Sequence, residues 1–257
     1  MCHHRGLPPD LSGHLYVNKE KQVFHCFRCG YSGRIEESMS RVPFALRPRS
    51  ESQVFASREA ELRRMGIFPL PTDPQTRVQA EMLAYLRRRN INSGMIRMWR
   101  LHYSVTGVYG GRVVFPCFGE SGIEFFVARS IDGREPKTLF PPKGGIWPGK
   151  GGIVWGLDRI PSGGEVIICE GVFDAAVTPG GVAILGKIIS PPQVQAIGIR
   201  AGVIRIMLDG DAFDAAMDVR DAFLERFPRV QISVVCVPET KDPSDLGPDG
   251  VFQLLNS

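Results

Sequence analysis

Two short apolar runs constrain this chain more than any other feature. VIICEGVFDAA spans Val166 to Ala176, and VIRIMLDGDAFDAA spans Val203 to Ala216. Each run is β-branched, ends abruptly in acid and glycine, and leads into a helix-compatible segment. A continuous apolar run of this length is expected as a strand buried on both faces, which requires a parallel sheet covered by helices. Functional groups of such sheets collect beyond the carboxyl ends of the strands. Glu170 ends the first run; Asp209 and Asp211 end the second. Three carboxylates brought together there repel one another unless a cation joins them, and Gly171 and Gly210 let the backbone approach closely. Hard oxygen ligands suit Mg²⁺ or Mn²⁺. Asp174, four residues after Glu170, is expected one helical turn on, facing the same end of the sheet.

A Glu-Gly strand end followed about forty residues later by Asp-x-Asp resembles the TOPRIM module of primases and topoisomerases. Taken alone, each acid is equally at home as a solvated strand end; the ordered set of three carries the reading.

Charge divides the 257 residues unevenly. Residues 1–150 carry 23 basic and 13 acidic side chains, and residues 151–257 carry 8 and 14. A basic front with an acidic back suits a protein that grips phosphates with one part and metal ions with another. No apolar run is long enough to span a membrane, and MCHHRGLPPD lacks a signal-peptide core, so a cytoplasmic location without membrane partners is expected. Cys117, Cys169 and Cys236 lie in strand-like apolar runs and are expected as small buried hydrophobes.

The other three cysteines are of a different kind. HCFRCGYSG (residues 25–33) places Cys26 and Cys29 on a tight turn, where C-x-x-C spacing lets two sulfurs meet one tetrahedral Zn²⁺. YVNKEKQVFHC reads as a hairpin that delivers Cys26. Cys2 is the third candidate ligand, and His3 or His4 the fourth, with His4 taken forward. HLYVNKEKQVFHCFRCGYSG resembles the zinc ribbon of bacterial-type (DnaG-like) primases. It departs from their pattern upstream, where Arg5 stands three residues after Cys2 in place of a ligand. That departure leaves open whether Met1 is the native start.

Residues 36–57 are polar and proline-bearing, and 36–72 is expected to be a linker between a zinc ribbon (1–35) and the remainder. A helical and basic β subdomain is expected over 73–160, with Asp73 as N-cap, and a TOPRIM domain over 161–257. The fold class expected is thus α+β and α/β: a zinc-ribbon β module, a linker, and an RNA-polymerase-type primase core with a parallel sheet. YLRRRNINSGMIRMWRLHYS resembles the opening of that core. GRVVFPCFGESGIEFFVARSIDGREPKTLF reads as a hairpin about ESG and resembles the family's basic motif. The resemblance implies that Arg112, Arg129 and Lys137 grip template or nucleotide phosphates. Lys187, at the end of the buried run VAILGK, either reaches a phosphate or solvates its loop. KDPSDLG (residues 241–247) is expected as a turn that brings Asp242 near the metals, as in the family. GGIWPGKGG has Gly151 where a phosphate-binding P-loop needs Ser or Thr, and is expected to be a plain glycine-rich loop.

The whole resemblance implies a stand-alone primase. Its expected partners are a single-stranded DNA template, ribonucleoside triphosphates and a replicative helicase, and its expected cofactors are Zn²⁺ and Mg²⁺ or Mn²⁺. Two other classes fit some of the same residues: a non-catalytic zinc-ribbon protein that binds single-stranded DNA, and a TOPRIM nuclease.

Overall fold

The computed structural model describes the backbone of residues 15–18, 23–26, 32–34, 51–119, 122–143 and 146–256, and side chains from residue 58 onward within those spans. At the N-terminal end, strands β1 (Leu15–Asn18), β2 (Val23–Cys26) and β3 (Ser32–Arg34) pair antiparallel in the order β1-β2-β3, with Asn18 opposite Val23. The hairpin expected before Cys26 is therefore present. The zinc candidates Cys2, His4 and Cys29 lie outside the described residues, and so does the side chain of Cys26.

The expected linker stops short of residue 72. Helix α1 (Glu51–Arg64) and strand β4 (Ile67–Pro69) occupy its second half. The reason is packing: Leu62 and Ile67 are buried with Val114, Phe126 and Trp147, and the Arg58 Nε donates to Ile146 O at 3.1 Å. Helix α2 (Arg77–Arg88) follows. Its N-cap is Thr76 and not the expected Asp73, because Thr76 and Gln79 satisfy each other's backbone amides in a capping box. Met82, Leu83 and Leu86 form its buried stripe. Helix α3 (Ser93–Met98) ends on Trp99, which is buried.

Strands β5 (His102–Ser104), β6 (Arg112–Gly119), β7 (Gly122–Ser130) and β8 (Thr138–Leu139) join β4 in one antiparallel sheet, order β4-β5-β6-β7-β8. The β6–β7 hairpin closes with Gly119 opposite Gly122, at the expected ESG turn.

The C-terminal half is a parallel sheet. It contains β9 (Gly164–Cys169), α4 (Val172–Val177), β10 (Gly181–Ala183), α5 (Pro191–Arg200), β11 (Ala201–Ile206), α6 (Phe213–Arg226), β12 (Gln231–Val234) and α7 (Pro243–Leu255). The strand order is β10-β9-β11-β12, every pair parallel. The apolar run of β9 serves two cores at once. Val166 and Ile168 pack with Val194, Ile197, Val219 and Phe223 of α5 and α6. Ile167 and Cys169 face the opposite side, into a core shared with Trp155, Phe115 and Trp99 of the first half. Cys117 and Cys169 are buried as expected, whereas Cys236 lies just beyond β12 and is exposed. Among the described residues no helix is long and apolar enough to cross a membrane.

Candidate active site

The acids meet because of how the strands end. β9 stops at Cys169, so Glu170 and Gly171 turn out of the sheet and α4 begins with Asp174 in its first turn. β11, its neighbour, continues past its last paired residue through buried Met207 and Leu208 to Asp209. Gly210 is required at the next position. A Cβ there would stand 2.1 Å from Pro238 O, and the Gly210 amide donates to Lys241 O at 3.0 Å. This backbone-to-backbone approach brings Asp242 to the same end of the sheet.

Glu170, Asp174, Asp209 and Asp242 line one cleft of about 360 Å³, together with Arg89, Arg129, Thr138, Phe140 and Phe173. Of the expected acids, Asp211 does not line it; it stands at the rim, its carboxylate accepting a hydrogen bond from Lys187 Nζ at 3.0 Å. The acids differ in what already holds them. Asp174 Oδ1 accepts from the Ser244 amide at 3.2 Å. Asp242 Oδ1 accepts from Ser244 Oγ at 2.8 Å and from the Asp245 amide at 2.7 Å. Asp242 is thus the N-cap of α7, and the segment expected as a turn is the start of a helix. Only Glu170 Oε2 and Asp209 Oδ1 are buried without any hydrogen-bond partner among the described residues of this acid set.

Such orphaned carboxylate oxygens are costly, and their proton affinities register it. Burial pushes the Asp174 carboxyl up to about 6, helped by Asp242 and Asp209. Burial does the same to Asp209, again to about 6, with Glu170 and Asp242 adding repulsion. Glu170 is raised for the same leading reason, although Lys187 opposes the rise. Unpaired oxygens, mutual repulsion and a hard donor set fit a divalent cation. The fit is to a nucleus of two ligands, since among the described residues no three His, Cys, Asp or Glu side chains already enclose a metal position. The remaining acids are engaged by Ser244, Asp245 and Lys187.

The opposite wall is cationic. Arg89 and Arg129 both approach the Phe173 ring, their guanidinium carbons 5.0 and 5.7 Å from its centre. Arg89 also approaches Asp242 at 3.6 Å and Asp245 at 3.7 Å, and Arg129 Nη1 donates to Thr138 Oγ1 at 2.6 Å. The expected phosphate ligands divide accordingly. Arg129 lies in the cleft. Lys137 is exposed at the start of β8 and does not line the cleft. Arg112 is withdrawn from any ligand: it is 3 % exposed and donates to the carbonyls of Val108, Gly110 and Pro136, holding loops together. Its place at the start of β6 points it inward, which residue type alone does not reveal.

Two cations that the sequence reading passed over belong here. Arg89 lies in the stretch YLRRRNINSG, whose sequence does not single it out from Arg87 and Arg88. Lys150 lay in the glycine-rich segment; its Nζ donates to Leu185 O at 3.2 Å and sits 5.4 Å from the Phe140 ring, so it reaches two residues of the cleft wall. The glycine-rich expectation described the loop and missed what its lysine touches.

No family model matches the chain. In sequence it is similar to a DNA primase of Clostridium acetobutylicum, 29% identical over 146 residues, which is 53% of this chain and 24% of that protein. The chain therefore spans about a quarter of the length of the curated relative it matches. In structure it is similar to the Aquifex aeolicus primase zinc-binding and RNA polymerase domains, with TM-score 0.61 and 21% identity over 97% of this chain and 76% of that one. It is likewise similar to a DnaG primase catalytic domain bound to single-stranded DNA, with TM-score 0.61 and 18% identity over 80% of each chain. The chain is thus similar in sequence to part of a DNA primase and has the fold of primase catalytic cores.

Proposed function

We propose that this protein is a DNA primase: it joins ribonucleotides on a single-stranded DNA template by nucleotidyl transfer, and so starts DNA strands during replication. The observation that carries the reading is the pair of unpartnered oxygens, Glu170 Oε2 and Asp209 Oδ1, at the ends of adjacent parallel strands facing two arginines. In the reaction a 3′-hydroxyl oxygen attacks the α-phosphorus of the next nucleotide, and the bond to pyrophosphate breaks. Mg²⁺ or Mn²⁺, when bound, supplies a lowered pKa for that hydroxyl and charge neutralisation for the departing pyrophosphate. Glu170 and Asp209 are the residues to hold it, with Asp211, Asp174 and Asp242 in support. Arg89 and Arg129 bind and orient phosphates, for which guanidinium groups are suited. Phe173 contacts both guanidinium groups and helps to place them.

The family resemblance extends the reading to a TOPRIM identity for the parallel sheet and to Zn²⁺ at Cys2, Cys26, Cys29 and His4. It further extends to a helicase partner and to action in the cytoplasm, where template and nucleotides meet. The test is incubation with single-stranded DNA and labelled ribonucleotides, with and without Mg²⁺. Wild type should extend primers only with the ion. Asp209→Asn should lower the rate at least about a hundredfold while leaving template binding near wild type. Template binding without Mg²⁺-dependent incorporation would instead make this a DNA-binding protein, and Mn²⁺-dependent cleavage of labelled DNA would make it a nuclease.

A further inference from the structure

Around the acids, Lys187 differs from every other nearby cation. Arg129 donates from Nη1 to Thr138, Arg89 stacks on Phe173 beside Asp242, and Lys150 donates to a backbone carbonyl. Of the three acids that follow β9 and β11 at the carboxyl end of the sheet, Glu170, Asp209 and Asp211, Asp211 accepts a hydrogen bond from Lys187 at 3.0 Å, and no other described lysine or arginine pairs with any of the three. Its charge also acts on Glu170 and Asp209. The pair is not locked in place. The Lys187 and Asp211 side chains are 43 % and 66 % exposed, and the next residue, Ile188, is 88 % exposed, so although Leu185 and Ile189 hold the loop's ends in the core, no packing encloses the pair itself. An exposed lysine–carboxylate pair is weak and opens easily, and a lysine stem is long and flexible.

We propose that Lys187 is a displaceable resident cation: in the ion-free protein its ammonium occupies Asp211, and a divalent cation gains Asp211 only as Lys187 lets go. The inference rests on the reading of Glu170 and Asp209 as metal ligands and adds how the cluster is loaded. One side chain thus serves two states. It neutralises the acids before loading, and afterwards it stands free at the cleft mouth, where nucleotide phosphates arrive. Lys187 is here a positioning residue for Asp211.

The test is Mn²⁺ binding to the full chain, followed by electron paramagnetic resonance without nucleotide or DNA. Lys187→Ala should bind Mn²⁺ roughly three- to tenfold more tightly than wild type, because a competing charge is gone. Lys187→Arg should stay within about twofold of wild type, since it keeps the charge. Lys143→Ala, which removes an exposed positive charge that does not line the cleft, should leave the affinity unchanged. No tightening in Lys187→Ala, or equal tightening in Lys143→Ala, overturns the proposal. A second measurement needs no variant: amine-reactive labelling of Lys187 in wild type, read by mass spectrometry, should rise when Mg²⁺ saturates the protein, and labelling that stays constant also overturns it. Asp209→Asn in the same Mn²⁺ titration separates the two ideas. Undiminished binding there defeats the metal-ligand reading itself, whatever Lys187 does.

Discussion

Asp174 is 7 % exposed, yet it carries a carboxyl whose proton affinity is raised to about 6 by burial and by Asp242 and Asp209. The sign of its effect follows. The folded chain holds the proton more tightly than the unfolded chain, so the cost of burying the charge is fully present above about pH 6. That cost is relieved as pH falls through the folded value toward the ordinary one. Asp174→Asn keeps the acceptor for the Ser244 amide and removes the charge. In chelator it should therefore be more stable than wild type by about 1–3 kcal/mol near pH 7.5, and the gain should fall to roughly half by about pH 5 and vanish by about pH 3.5, as measured by denaturant melts at pH 7.5 and 3.5. A gain equal at both pH values would mean that burial of charge is not the cause. Among single residues, the acids were readable from sequence because acid plus glycine after an apolar run has few uses. Arg112 was not readable: the chemistry that suits a phosphate suits three carbonyls equally well.

At the scale of elements, the loops after β11 and β12 fix the acids by close backbone contact. Gly210 is the sharpest case, because an added methyl would meet Pro238 O at 2.1 Å, a backbone atom that cannot swing aside. Gly210→Ala should cost about 1–3 kcal/mol in stability and weaken Mn²⁺ binding by moving Asp209 away from Glu170. Calorimetric melting and metal titration would check both effects. The helix that begins at Pro243 was misread as a turn although its signal was present. Asp242, Pro243 and Asp245 are an N-cap, a first-turn proline and a capping-box acid. The alternation of β6 and β7 gave the hairpin directly. Helix α1 was hidden because its residues are mostly polar, and tertiary contacts such as those of Leu62 and Arg58 reward its formation.

Across the whole molecule, the two sheets share one core, and two tryptophans fasten them. Trp155 is 1 % exposed, stacks on Trp99 with ring centres 4.2 Å apart, and donates from Nε1 to Pro116 O at 2.9 Å. Its backbone exchanges hydrogen bonds with Ala183 of the parallel sheet at 3.0 and 2.9 Å. Trp155→Ala should cost about 3–5 kcal/mol and split the single unfolding transition into two, seen by following circular dichroism and Trp fluorescence together. The split is expected because the cleft's arginines and its acids come from different halves joined at this seam. By itself the sequence determined that a parallel sheet would form, that it would be covered on both faces, and that Glu170, Asp209 and Asp211 would stand at its strand ends. Periodicity and residue chemistry are local properties, written in a run of ten or so residues. Which acid oxygens are left without partners, which acids are spoken for by Ser244 or Lys187, and which of Arg89, Arg112, Arg129 and Lys150 reach the cleft were decided only by the tertiary structure. Those outcomes depend on distances between residues up to about 150 positions apart, such as the Asn90 side chain donating to Ser244 O, and no local pattern encodes them.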